Sequence, residues 1–128
     1  MVTHLHSVSI FVSDRDRALR FYRDALGFEV SADVTDPSNP ENRWLTLKPK
    51  SGDTSVMILK LPGDTPSDRT RSANMVLATD DLAGDCERIK SHGGTILHPP
   101  KRAGWGNALE THFADLDGNV YLLVQQLG

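Results

Sequence analysis

The sequence predicts an α+β fold made of two tandem β-α-β-β-β modules, and two observations support this prediction. The stretch 8–30 recurs at 75–97, which is 67 positions further along the chain. In each copy, alternating apolar residues, an apolar helical stripe and a glycine follow in the same order, the pattern of strand, helix and strand. Further strand-like segments follow each copy, which completes the two modules.

The first predicted strand has an apolar residue at every second position: Val8, Ile10 and Val12. This period of two is typical of a strand with one face buried. Ser13 or Asp14 is expected to cap the helix that follows, because a short side-chain oxygen accepts a hydrogen bond from the first turn.

The predicted helix 14–26 has one apolar stripe, and most of its arginines fall outside it. Gly27 is expected to end the helix, since glycine adopts the left-handed conformation without steric cost. Phe28 and Val30 then begin a second strand. The stripe consists of Ala18, Leu19, Tyr22, Ala25 and Leu26.

The second copy repeats this arrangement with Leu82, Cys86 and Ile89 as its stripe and Gly93-Gly94 as its end. Cys86 is the single cysteine of the chain. Its place on an apolar stripe predicts a small core residue with no catalytic role.

Between the copies, the proline-containing stretch 32–43 is expected to be a surface loop. A short strand at 44–47, a turn at 49–54 and a strand at 55–61 follow. The polar stretch 62–72 is interpreted as a linker.

The chain is therefore predicted to be a single domain, 1–128, with modules 4–61 and 73–127. The second module is expected to end in strands 108–114 and 120–126. Asp117-Gly118 between them is a strong hairpin signal, because both residues tolerate a positive φ.

Composition excludes several classes of function. The chain has 128 residues with 17 acidic and 14 basic side chains, so no overall charge attracts nucleic acid. A single cysteine requires no oxidising compartment, and no stretch approaches the roughly 20 apolar residues of a membrane span. We expect a soluble, cytoplasmic protein without nucleic-acid or membrane partners.

Three phrases carry a family resemblance: VSDRDRALRFYRDALGFEV at 12–30, WG at 105–106 and FADLDGN at 113–119. With the doubled module, they resemble the vicinal oxygen chelate superfamily of glyoxalases, extradiol dioxygenases and bleomycin-resistance proteins, of bacterial type here. Leu116 stands where that family usually has proline. The resemblance covers nearly the whole chain and implies a mixed sheet curled around a cleft, and a homodimer.

The resemblance also implies four metal-ligand positions, each normally a histidine or carboxylate, since a divalent ion needs imidazole or anionic oxygen. In this chain they fall on Ser7, on the strand 55–61, on Asn74 and on Leu122. None offers such a group in the required register. We predict no metal and no other cofactor.

Glu110 and His112 are the candidate catalytic residues, since they share one face of a strand about 6.6 Å apart. Imidazole can donate or accept a proton near neutrality. The alternative for His112 is an ordinary strand histidine bonded to a backbone carbonyl.

Trp105, between two glycines, is either a hinged aromatic flap or a residue packed on the sheet edge, and Trp44 is either pocket wall or core. His4 and His6 are interpreted as surface residues, His92 suits a helix C-terminus, and His98 has no assigned place. The predicted ligand-binding set is Ser7, Phe11, Trp44, Met57, Asn74, Trp105, His112 and Leu122.

Two functions remain open. The first is a metal-free module that binds a small, partly aromatic organic molecule, for sequestration or resistance. The second is a lyase or dioxygenase, which uses either a non-standard metal set such as His6, Glu110 and His112, or acid–base chemistry by His112 with Glu110.

Overall fold

The computed structural model describes residues 1–61 and 70–128, which form two compact units on either side of the segment 62–69. The first unit contains β1 (Ser7–Val12), α1 (Arg15–Leu26), β2 (Glu29–Asp36), β3 (Asn39–Lys48) and β4 (Ser55–Lys60). The second contains β5 (Arg71–Ala78), α2 (Leu82–Ser91), β6 (Thr95–Ile96), β7 (Lys101–Arg102), β8 (Ala108–Ala114) and β9 (Asn119–Gln126).

The two units share one strand arrangement, which confirms the predicted α+β repeat. The first sheet has the order β1-β4-β3-β2, and the second has the order β5-β9-β8-β6 with β7 also paired to β8. In each sheet, the strand before the helix pairs in parallel with the last strand, and the other pairs are antiparallel.

The predicted caps position both helices. Oδ1 of Asp14 accepts hydrogen bonds from the backbone N–H groups of Asp16 and Arg17, at 3.0 and 3.2 Å. Asp81, the matching residue of the repeat, accepts from the N–H of Gly84 at 3.1 Å. Gly27 ends α1 with a φ of 73°, in the left-handed region that glycine tolerates.

Each helix buries its apolar stripe against one face of its own sheet. In α1 the most buried residues are Ala18, Phe21, Tyr22 and Ala25, so Phe21 belongs to the stripe. In α2 they are the predicted Leu82, Cys86 and Ile89. Cys86 is 5% exposed, and burial raises the pKa of its thiol, which confirms a packing role.

The prediction of a surface loop at 32–43 is wrong, because β2 and β3 form a hairpin that continues to a two-residue turn. The carboxylate of Asp36 accepts from both the N–H and the hydroxyl of Ser38, and Pro37 occupies the second position of the turn. The sequence Asp36-Pro37-Ser38-Asn39 therefore forms a turn between two strands. Both strands lie partly within the stretch 32–43, for which the sequence predicts a loop.

Arg43 fixes this hairpin to α1. Its Nε and Nη2 donate to the carboxylate of Asp33 on β2, each at 2.9 Å, and Nη1 donates to Asp16 on α1 at 2.9 Å. The Arg43 hydrogen bond lowers the pKa of Asp33. Two charged strands thereby remain paired although most of their side chains are exposed.

Most of the predicted linker, 62–72, lies outside the described residues, while its last two residues, Arg71 and Ser72, belong to β5. The second strand of the second module is divided into the short pieces β6 and β7. Pro99 and Pro100 stand between them, where the missing N–H groups interrupt pairing.

The hairpin predicted at Asp117-Gly118 is present. Of these two residues, Gly118 alone has a positive φ, 79°. Oδ1 of Asp115 accepts from the backbone N–H groups of Asp117 and Asn119, both at 2.9 Å. Oδ2 accepts from the side-chain amide of Asn119, also at 2.9 Å. A buried carboxylate thus organises this turn from inside.

Candidate functional site

One face of each sheet is not covered by its helix, and most of the predicted site residues lie on these two faces, while Trp105 lies in the connection between β7 and β8. We call the helix-free face of the first sheet, with Phe11, Trp44 and Met57, the first open face. The helix-free face of the second sheet, with Glu110, His112 and Leu122, is the second open face.

Strand register brings the predicted residues of the first open face together. Ser9 of β1 and Thr46 of β3 both pair with Met57 of β4, so their side chains share a face. Trp44 follows two residues before Thr46, and Phe11 two residues after Ser9, which places both on that face. Ser7 lies opposite Ser55 at its other end.

Large apolar side chains on the first open face remain accessible. Phe11 is 43% exposed, Trp44 is 48% exposed and Val34, which pairs with Trp44, is 63% exposed. Trp44 is therefore a surface residue, which favours the pocket-wall interpretation over the core interpretation. Exposed aromatic and apolar groups in one patch offer a flat organic molecule a surface on which to stack.

A hydroxyl cluster lies beside this patch. The Ser31 Oγ is 2.8 Å from Thr46 Oγ1 and 3.1 Å from Ser55 Oγ. Because these hydroxyls bond one another, Thr46 and Ser55 are buried without cost to their polar groups.

A pocket of about 460 Å³ opens near one end of the first unit. Phe11, Leu59 and Leu61 supply its apolar wall. Lys60 and Glu41, which form an ion pair at 3.2 Å, and Arg15 give it a charged rim. The size suits a small organic molecule.

On the second open face, His112 of β8 pairs with Leu122 of β9. Glu110 pairs with Val124 on the same face, and Val76 of β5, 61% exposed, pairs with Leu122 from the other side. The imidazole and carboxylate therefore lie beside hydrocarbon side chains.

His112 has a partner that sequence reasoning missed. Its Nδ1 lies 2.9 Å from Nε2 of His98, and the two ring centroids are 5.2 Å apart. A backbone carbonyl, the simple alternative predicted for His112, is instead the partner of His98: the Pro99 oxygen lies 3.0 Å from His98 Nδ1. The only sequence signal was a histidine placed before two prolines.

Backbone contacts hold His98 in place. The hydroxyl of Thr111 donates to the His98 carbonyl at 2.6 Å, and the N–H of Leu97 donates to the His112 carbonyl at 2.9 Å. These bonds attach the segment after β6 to the edge of β8, so the two rings meet.

Trp105 lies in the connection between β7 and β8 and is 57% exposed. Its indole N–H donates to Oε2 of Glu110 at 3.0 Å. This exposure argues against a ring packed on the sheet edge. The bond directs Glu110 toward Trp105, while His112 is directed toward His98.

Asn74 interrupts β5. Its φ is 56°, in the left-handed region, and the pairing of β5 with β9 shifts register between Ser72 and Val76. The N–H of Asn74 donates to the Ser72 hydroxyl at 3.0 Å. Asn74 is exposed, and its predicted role in ligand binding stays a prediction.

The side chains present do not fit the metal that the resemblance implies. Ser7, Met57, Asn74 and Leu122 offer no imidazole or carboxylate at the expected positions. Within the described ranges, no group of three or more His, Cys, Asp or Glu side chains is placed to hold an ion. His6, of the alternative metal set, is exposed and precedes β1.

Comparisons with known proteins agree on one protein family. Residues 4–122 match the model of the Glyoxalase/Bleomycin resistance protein/Dioxygenase superfamily. The chain is 32% identical to the uncharacterised protein YetH of Bacillus subtilis over 96% of this chain and 98% of that protein. In the described residues, neither helix is long and apolar enough to cross a membrane.

Two solved structures are similar over nearly their full lengths. A superfamily member from Sphaerobacter thermophilus shares 34% identity with a TM-score of 0.77, covering 98% of each chain. TnmS3, described as an antibiotic binding protein from a Streptomyces species, shares 33% identity with a TM-score of 0.74, also covering 98% of each chain.

Proposed function

We propose that this chain, which belongs to the Glyoxalase/Bleomycin resistance protein/Dioxygenase superfamily, binds a small, partly aromatic organic molecule and requires no metal ion to do so. One observation carries the proposal: Phe11, Trp44 and Val34 leave an accessible aromatic and apolar patch on the first open face. Such patches on soluble proteins mark binding surfaces. The similarity to TnmS3, an antibiotic binding protein, supports sequestration or resistance as the use of this binding.

A protein of this kind acts by binding its ligand and does not need to catalyse a reaction. Burying about 100 Å² of apolar ligand surface contributes about 2.5 kcal/mol before the cost of immobilising the ligand. The aromatic side chains supply that area, and neighbouring polar groups fix orientation.

The two tryptophans provide a direct test, because each unit holds one of them. Protein labelled with 5-fluorotryptophan should give two fluorine resonances, assigned with the variants Trp44→Phe and Trp105→Phe. Titration with 1-naphthol, an aromatic probe, should shift the Trp44 resonance and saturate. If neither resonance moves and calorimetry detects no binding, the proposal is wrong.

Metal content is a second test. Protein purified without a histidine tag should contain far less than one equivalent of Zn, Ni, Mn or Fe, and chelator treatment should leave 1-naphthol binding unchanged. A stoichiometric ion whose removal abolishes binding would contradict the metal-free proposal.

Acid–base catalysis by His112 with Glu110 is a second candidate. The observation in its favour is the His98 contact at Nδ1, since a second group commonly orients a catalytic imidazole. For an enzyme, His112→Ala must abolish turnover while ligand binding remains. Loss of binding alone would support sequestration.

We extend the proposal to a homodimer, which the family resemblance implies, and to the cytoplasm, which suits a chain with a single cysteine. Light scattering of the purified chain should give twice the 14.1 kDa mass of one copy. A monomeric mass at all accessible concentrations would contradict this part.

A further inference from the structure

The His98–His112 pair determines which ring nitrogen of His112 faces a ligand. Two contacts define the pair: His98 Nδ1 to the Pro99 carbonyl oxygen at 3.0 Å, and His98 Nε2 to His112 Nδ1 at 2.9 Å. A carbonyl oxygen can only accept a hydrogen bond, so His98 Nδ1 carries a proton.

The remaining proton positions follow from that assignment. A neutral imidazole has one N–H, so Nε2 of neutral His98 is a bare acceptor. The atom facing it, Nδ1 of His112, must then donate. The proton of neutral His112 is thus at Nδ1, and its Nε2 carries an available lone pair.

Nε2 of His112 is also accessible. It has no hydrogen-bond partner in the part of the chain that the structure describes. Among the same residues, no buried side-chain nitrogen or oxygen lacks a partner, so this nitrogen is in contact with solvent. It lies on the second open face, where His112 pairs with Leu122.

We infer that His98 holds His112 as a hydrogen-bond acceptor that selects ligands bearing a hydroxyl donor, such as a phenol or an enol. This inference rests on the proposed binding function and assigns a ligand class to the second open face. An ether at the same position has no proton to donate, so it would leave Nε2 without a partner. His112 is the binding residue, and His98 is a positioning residue.

The tautomer can be tested without any ligand. Two-bond ¹H–¹⁵N spectra at about pH 8, above the usual titration range of imidazole, distinguish a protonated from a bare ring nitrogen. Both rings should be protonated at Nδ1. In His98→Leu, His112 should shift toward the Nε2–H form, and His98→Gln, which restores an acceptor oxygen, should reverse that shift. A wild-type His112 protonated at Nε2 would overturn the inference.

Ligand selection is tested with a matched pair of probes, 1-naphthol and 1-methoxynaphthalene, measured by calorimetry at the same pH. The wild type should bind the hydroxyl probe about fivefold to tenfold more tightly than the ether, the effect of one hydrogen bond. His112→Leu and His98→Leu should each remove that preference, and His92→Leu, at an exposed position just after α2, should keep it.

The outcomes separate the two proposals. If neither probe binds, the proposed binding function fails and the selection falls with it. If both probes bind the wild type equally, or if the preference survives in His112→Leu, binding stands and this inference alone is overturned.

Discussion

Around Trp44 and Met57, the first open face presents aromatic, hydrocarbon and hydroxyl groups, whereas the second open face presents an imidazole and a carboxylate beside Leu122 and Val76. Both faces are built by the same strand order. The repeat preserves the caps and the helix-facing core, while the helix-free faces differ. In our proposals, the first face offers an aromatic and apolar surface, and the second face offers a hydrogen-bond acceptor at His112.

The turns that join the last two strands of each unit differ most, and they should give the largest effect. Asp115→Ala removes an acceptor from three N–H groups of a buried turn, so we expect a loss of about 3 kcal/mol in the free energy of unfolding. Asp53→Ala, in the exposed matching turn of the first unit, should change it by less than about 0.5 kcal/mol. Urea unfolding measures both, and equal losses would contradict the difference between the turns.

Removing an aromatic ring from the first open face should weaken binding of aromatic probes. Trp44→Ala is expected to lower the affinity for 1-naphthol and for 1-methoxynaphthalene by about tenfold each, since both probes stack through the same ring system. Calorimetry gives both ratios. Unchanged affinity for both probes would contradict binding through the first open face.

The ends of the two helices test how far the repeat extends. Gly27 aligns with Gly94, but the glycine with a positive φ after α2 is Gly93, at 94°. Gly27→Ala and Gly93→Ala should each cost about 1 kcal/mol, because alanine is strained in this conformation. Gly94→Ala should cost clearly less by the same urea measurement. A larger loss at Gly94 would mean that the aligned position, and not the backbone conformation, determines the cost.

The smallest effect concerns the ion pair that ties the first hairpin. Hydrogen bonding from Arg43 lowers the pKa of Asp33, so the pair stabilises the fold above the ordinary carboxyl pKa. That contribution is lost as the pH falls through the lowered pKa. Asp33→Asn should therefore cost about 0.5 kcal/mol at neutral pH and progressively less below about pH 4. Unfolding curves at several pH values test this, and a constant difference would contradict it.

The sequence predicts the parts of this fold that depend on neighbours along the chain. Asp14, Asp81 and Gly27 act within one helical turn, and the turn at Asp117-Gly118 joins two strands that follow one another along the chain. The hairpin at 32–43 was missed because its composition resembles a loop, and its stability depends on Arg43 reaching Asp16 and Asp33.

The candidate site was only partly predictable for the same reason. Alternation along the strands places Phe11, Trp44, Met57 and His112 on the helix-free faces. The contact between His98 and His112 joins residues 14 positions apart through an irregular segment, and no periodic pattern predicts where such a segment returns.

The left-handed residue in β5 has a consequence for how copies of this chain meet. β5 lies at the edge of its sheet, and at Asn74 its backbone leaves the extended conformation. A strand from another molecule that approached this edge would find donors and acceptors aligned only in short runs, separated by a bulge. The interruption therefore protects the second sheet from fibril-like growth by strand addition.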